Sequence, residues 1–374
     1  MVIRSQERVG TAVLLAALFA CGRPSPAPAP AKTSDPTAMN TQRDTPPAEV
    51  RPARPKYLAA VENNEAEARL VLVEAAAGKK TALAPLAADV RWLAWTPDGS
   101  WLLYLTGQRL RASTVTSGQD ALLAEGVSAQ ASSPFAVSPD NRLIAVVAGS
   151  DILLAPVNAL PSFRPSIKAK MPAGCGLVDL CWSPTGNSVL VLCYPAPGTE
   201  SSQLLWIEAA TGKMRVLPPS AVKRLLGWRP SGQLVMVRDG PAFDEAALFS
   251  PDGSVLPWGP PREPGEVFIL AYAPARDLVL EVTASEDAGD PVNTYLSPFG
   301  DHAIRPWLHR YPRLTDLKFS PGGTWAAFAD RGPYGAGEMP GGNIYIVETG
   351  SEDAQLVIRG TPGVRTYSSP TIRP

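Results

Sequence analysis

The sequence predicts an all-β fold, a seven-bladed β-propeller whose N- and C-terminal strands share one blade. Three observations predict it. A strand–turn–strand motif returns at steps of 42, 45, 46, 44 and 47 residues. Forty of the 374 residues are proline, about twice the usual share of roughly 5%, which disfavours long helices and supplies turns. The chain also stops inside what reads as the first half of another motif.

The motif is a short apolar strand ending in an aromatic residue, then a proline turn, then a second apolar strand. Its copies are Leu93-Ala94-Trp95-Thr96-Pro97-Asp98-Gly99, Phe135-Ala136-Val137-Ser138-Pro139-Asp140-Asn141 and Leu180-Cys181-Trp182-Ser183-Pro184-Thr185-Gly186. Three more follow: Leu226-Gly227-Trp228-Arg229-Pro230-Ser231-Gly232, Leu270-Ala271-Tyr272-Ala273-Pro274-Ala275-Arg276 and Leu317-Lys318-Phe319-Ser320-Pro321-Gly322-Gly323. Proline presets the first turn dihedral, Asp or Ser bonds the local backbone, and Gly or Asn accepts a positive φ. The strands after the turns, such as Trp101 to Leu105 and Val189 to Leu192, are nearly continuously apolar, as expected where neighbouring sheets cover both faces. Two further strands per unit complete a four-stranded blade, and a period near 40 to 45 is the propeller spacing. Ser250-Pro251-Asp252-Gly253 carries the same letters but lies 21 residues after Pro230, so it is expected to join the third and fourth strands of its blade.

Six motifs give six blades, and the chain ends supply the seventh. Ser368-Ser369-Pro370-Thr371-Ile372-Arg373-Pro374 reads as an innermost strand cut at its marker proline. Its three missing partners are expected at Tyr57 to Val61, Leu70 to Glu74 and Thr81 to Ala84. Such closure removes exposed sheet edges.

Residues 1–20 read as an export signal. Arg4 and Arg8 precede the apolar run Val9 to Ala20, which is too short for the roughly 20 residues of a membrane span. Leu18-Phe19-Ala20-Cys21 resembles the lipobox of bacterial lipoproteins, which implies lipidation at Cys21 and, with Gly22 following, outer-membrane sorting. Residues 21–55 are rich in proline and alanine and cannot bury a core, so they are expected to form a disordered tether, and 56–374 the propeller.

The formal net charge of −1 offers no field for nucleic acid. Cys175, Cys181 and Cys193 form no CxxC pair and lie far from both histidines, so no metal or other cofactor is expected. Cys175 with Cys193, across a hairpin, is the best disulfide candidate; three small buried hydrophobes is the other reading. There is no Gly-x-Ser-x-Gly elbow and no phosphate-binding glycine loop.

Asp179 and Asp316 both stand five residues before their marker prolines, early in an innermost strand. They are candidates to hold a cation or a basic side chain in the central channel; the alternative is that each bonds a neighbouring backbone amide. With strands a to d counted from the axis outward, the b–c loops vary in length, being long at 62–67, 195–203, 239–246, 284–292 and 330–342. Variable loops on a repeating scaffold are where recognition concentrates. Candidate binding residues there are Asp244, Glu245, Glu286, Asp287, Arg331 and Tyr334. These loops lean acidic, with Glu62, Asp239 and Asp330 also counted to them. The d–a connections on the same face lean basic, with Lys168, Lys170, Lys223, Arg310 and Arg365.

The Trp/Phe-Ser-Pro-Asp-Gly repeat resembles the WD40-like repeat of TolB-like periplasmic propellers and of propellers in the prolyl oligopeptidase family, over about 57 to 374. No counterpart of the extra N-terminal domain of the former or of the hydrolase domain of the latter is expected within residues 1–374. With no catalytic constellation, the expectation is a non-enzymatic, lipid-anchored envelope protein, a monomeric propeller whose partner is an envelope protein or peptide. The alternatives are a hydrolase or lyase using a metal in the channel, and a binder of glycans or small ligands.

Overall fold

The marker turns fold for local reasons. The hydroxyls of Thr96, Ser138, Ser183 and Ser320 accept backbone N–H bonds from the residue five positions on, at 3.0, 2.9, 3.2 and 3.2 Å. Asp98 and Asp140 accept the hydroxyls of Thr96 and Ser138, each at 2.6 Å. The turn closes when the N–H of Gly99, Asn141, Gly186 or Gly323 returns to the carbonyl of the hydroxyl residue. At Gly186 (φ +70°) a Cβ would also sit 2.8 Å from the Asp140 carboxylate of the preceding blade, so the turn needs glycine for both conformation and room.

The structure is a computed structural model. It describes residues 53–373 apart from 65–67, 87–89, 129–132, 196–201, 219–221, 240–243, 251, 259–266, 275, 284–292, 300–304, 309, 312–313, 331–341 and 361–364. The described chain forms seven antiparallel four-stranded sheets. From the axis outward, blade 1 is Arg365–Ile372, Tyr57–Asn64, Ala68–Glu74 and Lys80–Leu86. Blades 2 to 7 run in chain order. Their innermost strands are Val90–Trp95, Phe135–Val137, Cys175–Trp182, Val222–Trp228, Val267–Ala273 and Leu314–Phe319. The expected propeller, including the shared blade, is therefore the observed fold. Ser250 and Asp252 flank the turn between Asp244–Phe249 and Val255–Pro257, the third and fourth strands of blade 5.

The core is distributed as seven apolar clusters, each built from two adjacent blades, including blade 7 against blade 1. Alternation along the second strands feeds both sides: Leu102 and Tyr104 pack toward blade 1, Leu103 and Leu105 toward blade 3, all with 0% exposure. The aromatic residue of the marker seals several interfaces. Trp95 Nε1 donates to the Thr371 carbonyl of blade 1 at 3.3 Å, and Trp182 Nε1 to the Ala136 carbonyl of blade 3 at 3.0 Å.

Blade 1 closes the ring through Leu58↔Ile372, Ala59↔Thr371 and Val61↔Ser368. Arg373 then reaches into blade 2, where its Nε donates to the Gly99 carbonyl at 2.9 Å. Blades 5 and 6 are tied differently. Arg229, standing where four other turns have a hydroxyl, bonds Asp277 through two nitrogens, at 3.0 and 2.5 Å, and Asp277 also accepts the Tyr272 hydroxyl at 2.8 Å. The Cys175 and Cys193 sulfurs are joined as a disulfide between the first two strands of blade 4, with Cα atoms 5.2 Å apart; Cys181 is free.

Several loop boundaries differ from expectation. Glu62 lies within Tyr57–Asn64 and is buried. Asp239 and Asp244 face each other at the ends of paired strands, and Glu245 belongs to the same ladder opposite Arg238. Asp330 ends its strand. Asp244 and Glu245 are thus strand residues, because the cross-strand register carries the pairing further than hydropathy suggests. Likewise, Lys223 and Arg365 lie in innermost strands, not in the connections before them.

Candidate functional site

A closed propeller has three concave features: two mouths and the channel between them. Antiparallel pairing fixes which residues belong to each. The C-terminal end of every innermost strand leads into a marker turn, so the marker turns surround one mouth. Its N-terminal end lies beside the end of the second strand, where the b–c loop departs. Val222↔Arg238, Leu314↔Asp330 and Arg365↔Asn64 mark this second mouth. Among the described residues, the b–c turns of blades 2 and 3 are tight, closing at Thr106/Arg109 and Ala148/Asp151.

At the loop mouth, Asp179 is 3% exposed. Its Oδ2 accepts the Leu225 N–H of blade 5 at 2.9 Å. Burial pushes its carboxyl above the ordinary range, opposed by hydrogen bonds from Leu225 and from the Ser133 hydroxyl before blade 3, and by the nearby Arg224 charge. The carboxylate therefore links three successive blades, which is the amide-bonding alternative for this residue. Asp316 lies in the innermost strand of blade 7, while its side chain falls outside the described residues. Burial, and secondarily the Asp179 charge, push the Cys181 thiol up to about 12, so it stays protonated and inert at neutral pH. Glu286, Asp287, Arg331 and Tyr334 lie outside the described residues, as does Cys21. Glu245 pairs with Arg238 at 2.9 Å. Glu62 pairs with Lys80 at 2.8 Å and Arg69 at 3.8 Å.

The raised Asp179 carboxyl has a testable consequence. A folded-state value above the unfolded one means that ionisation opposes folding: this group's contribution is greatest at low pH and declines as pH rises through the carboxylate range. Asp179→Asn keeps an acceptor for Leu225 and removes the buried charge, so it is expected to match or exceed the parent's stability at pH 7.5. That advantage should shrink toward pH 4. Asp179→Ala instead leaves the Leu225 amide without an acceptor and is expected to lose about 1–3 kcal/mol. Urea unfolding at the two pH values measures both.

One innermost-strand residue that was not among the expected site residues reaches across to another blade. The third residue before each marker proline is Thr371, Ala94, Ala136, Cys181, Gly227, Ala271 or Lys318, in blade order from 1 to 7. Six are small; the seventh carries a long cationic chain. Lys318 Nζ donates to the Leu93 carbonyl at 3.3 Å. Lys318 belongs to blade 7 and Leu93 to blade 2, so the side chain spans the place of blade 1 between them. The signal was in the sequence: one charged residue in a column of small ones.

On the marker-turn face a cleft of about 660 Å³ lies between blades 3 and 4, lined by Asp140, Arg142, Asn158, Asn187 and Glu208 among others. Among the described residues, no three His, Cys, Asp or Glu side chains converge as metal ligands. No helix there is long and apolar enough to cross a membrane.

No protein-family model matches the chain, and no curated protein does. Solved structures do. The chain is similar to TolB from Acinetobacter baumannii, with 12% identity over 85% of this chain and 67% of that one and a TM-score of 0.51. It is similar to an oligogalacturonate lyase solved with manganese, with 14% identity over 82% and 86% and a TM-score of 0.54. It is also similar to the β-propeller domain of the Trilobed protease from Pyrococcus furiosus, described as having an open velcro topology, with 9% identity over 82% and 95% and a TM-score of 0.59. At these identities the likeness is one of fold.

Proposed function

We propose that this chain is a non-enzymatic, lipid-anchored protein of the bacterial cell envelope whose propeller holds a protein or peptide partner at the mouth ringed by the b–c loops. The observation that carries the reading is where the chain joins the ring. Residues 53–56 run over the marker-turn face: the Ala53 carbonyl accepts the Trp325 indole N–H at 3.1 Å, and Arg54 donates to the Ala75 carbonyl at 2.8 Å. A tether leading back to a lipidated Cys21 leaves from that face, so the opposite mouth points away from the membrane. The sequence carries no nucleophile elbow, which supports a binding role over that of a serine hydrolase.

The face preference is directly measurable. Photocrosslinking residues placed at Gln108 or Ser150, in exposed b–c turns, should capture an envelope protein in intact membranes, whereas Ser117, in an exposed turn of the opposite face, should not. Capture from Ser117 alone, or equally from all three sites, overturns the reading.

A further inference from the structure

We propose that the cleft between blades 3 and 4 on the marker-turn face binds a short peptide with both ends free, its terminal carboxylate at Arg142 and its terminal ammonium at Glu208. Arg142 stands on the blade 3 wall, just after the marker turn, and Glu208 on the blade 4 wall, at the end of the strand Gln203–Glu208. Both side chains are exposed. They bring opposite charges to one space of about 660 Å³, yet pair neither with each other nor with any other charge among the described residues. Glu208 accepts only the Thr211 hydroxyl, at 2.7 Å. The remaining charge of the lining is Asp140. Its Oδ1 already accepts the Ser138 hydroxyl at 2.6 Å and the Arg142 backbone N–H at 3.1 Å. With one base against two acids, the cleft is nearly balanced and suits a guest that carries both signs.

Elsewhere in the ring the same two positions carry ion pairs between blades. Arg142 is the third residue after its marker proline, the place that Asp277 holds in blade 6, and Asp277 is met by Arg229 of blade 5. Glu208 lies opposite the first residue of its blade's second strand (Ser188↔Glu208). Glu348 holds that place in blade 7 (Trp325↔Glu348) and is met by Arg276 of blade 6 at 3.3 Å. Between blades 3 and 4 the residue equivalent to Arg276 is Asn141, whose side chain bonds Asp98 of blade 2 instead. One charge is thus left on either wall with no partner from the chain.

The rest of the lining selects a peptide among guests of mixed charge. The volume is within the range of small-ligand sites. Asn158 on the blade 3 wall and Asn187 on the blade 4 wall are exposed and make no side-chain hydrogen bond among the described residues. Each carboxamide presents a donor and an acceptor, the pair that a peptide group matches. No described residue of the lining is aromatic, which counts against a sugar held on a ring face. A neutral sugar would also cover both charges without supplying a counter-charge, whereas a free-ended peptide supplies each with its opposite. The cleft lies on the face opposite the loop mouth, so the inference goes beyond the scaffold reading and does not depend on it.

The probe is trialanine, titrated calorimetrically into the full chain in a non-ionic detergent. Binding is expected, and blocking either end, as trialanine amide or as N-acetyltrialanine, should weaken it about fivefold. Arg142→Gln should bind trialanine and its amide alike while still discriminating against the acetylated peptide. Glu208→Gln should do the reverse. Both side chains are exposed, so each variant is expected to melt as the parent does, and Arg142→Lys should keep the preference for a free carboxylate. A parent chain that does not bind trialanine overturns the proposal. So does a penalty for blocking each end that is the same in the parent and both Gln variants, because the charges then act elsewhere. Displacement of trialanine by maltotriose at lower concentration than by unlabelled trialanine overturns it as well and assigns the cleft to sugar hydroxyls.

Discussion

A chain lacking residues 366–374 is expected to lose the native ring, with no cooperative thermal transition and rapid proteolysis under conditions where the full chain resists. The deletion removes nearly all of the innermost strand of blade 1, and with it the pairing of Leu58, Ala59 and Val61 with Ile372, Thr371 and Ser368. Leu58, Ala59 and Ala60, all fully buried in the intact fold, come to lie along an open edge. Trp95 loses its Thr371 acceptor, and Gly99 loses Arg373. Because each blade is covered by its neighbours, the damage passes to blades 2 and 7, and the expected loss is on the order of the whole 5–15 kcal/mol that stabilises a typical domain. Circular dichroism melting and limited proteolysis decide it. A truncated protein that melts as the parent does removes the shared blade from any structural role.

Trp182→Ala is expected to cost about 3–5 kcal/mol, the range for emptying a large buried aromatic site, and to lower the melting temperature on the order of 10 °C. Trp182 is buried between blades 3 and 4 among Val147, Leu154 and Val191, and its indole N–H supplies a bond across that interface. Trp182→Phe separates the two contributions: it keeps most of the packing and leaves the Ala136 carbonyl without its donor, for a loss of about 1 kcal/mol. Urea unfolding of the two variants measures both. Equal losses would assign the whole effect to the hydrogen bond.

The fold was legible because its decisive signals are local. A hydroxyl, a proline, an Asp and a Gly within four residues contain all the groups that close a marker turn, and Thr96 to Gly99 use nearly every one. Closure was legible for a related reason: the terminal segment from Ser368 lacked a partner in its own neighbourhood. What escaped depends on register and on distant strands. Asp244 and Glu245 read as loop because their place in the ladder is set by Asp239 and Arg238 across the sheet. The Asp179–Leu225 bond spans 46 residues and Lys318–Leu93 spans 225, distances at which spacing along one strand says nothing about the acceptor. Arg229 replaces the marker hydroxyl and Asp277 stands opposite it in the next blade, a pair of departures that compensate each other.

The stitching of residues 53–56 to the ring also determines how the domain carries load. A pull on the N-terminal segment first meets Trp325 in blade 7 and Ala75 in blade 1, then the strand Tyr57–Asn64, which is paired along both edges. Tension along that strand's axis loads its cross-strand bonds together, in shear, whereas a strand peeled from an open edge yields one bond at a time. The blade that joins the two ends of the chain thus spreads a pull on the N-terminal segment into two blades at once before any single pairing gives way.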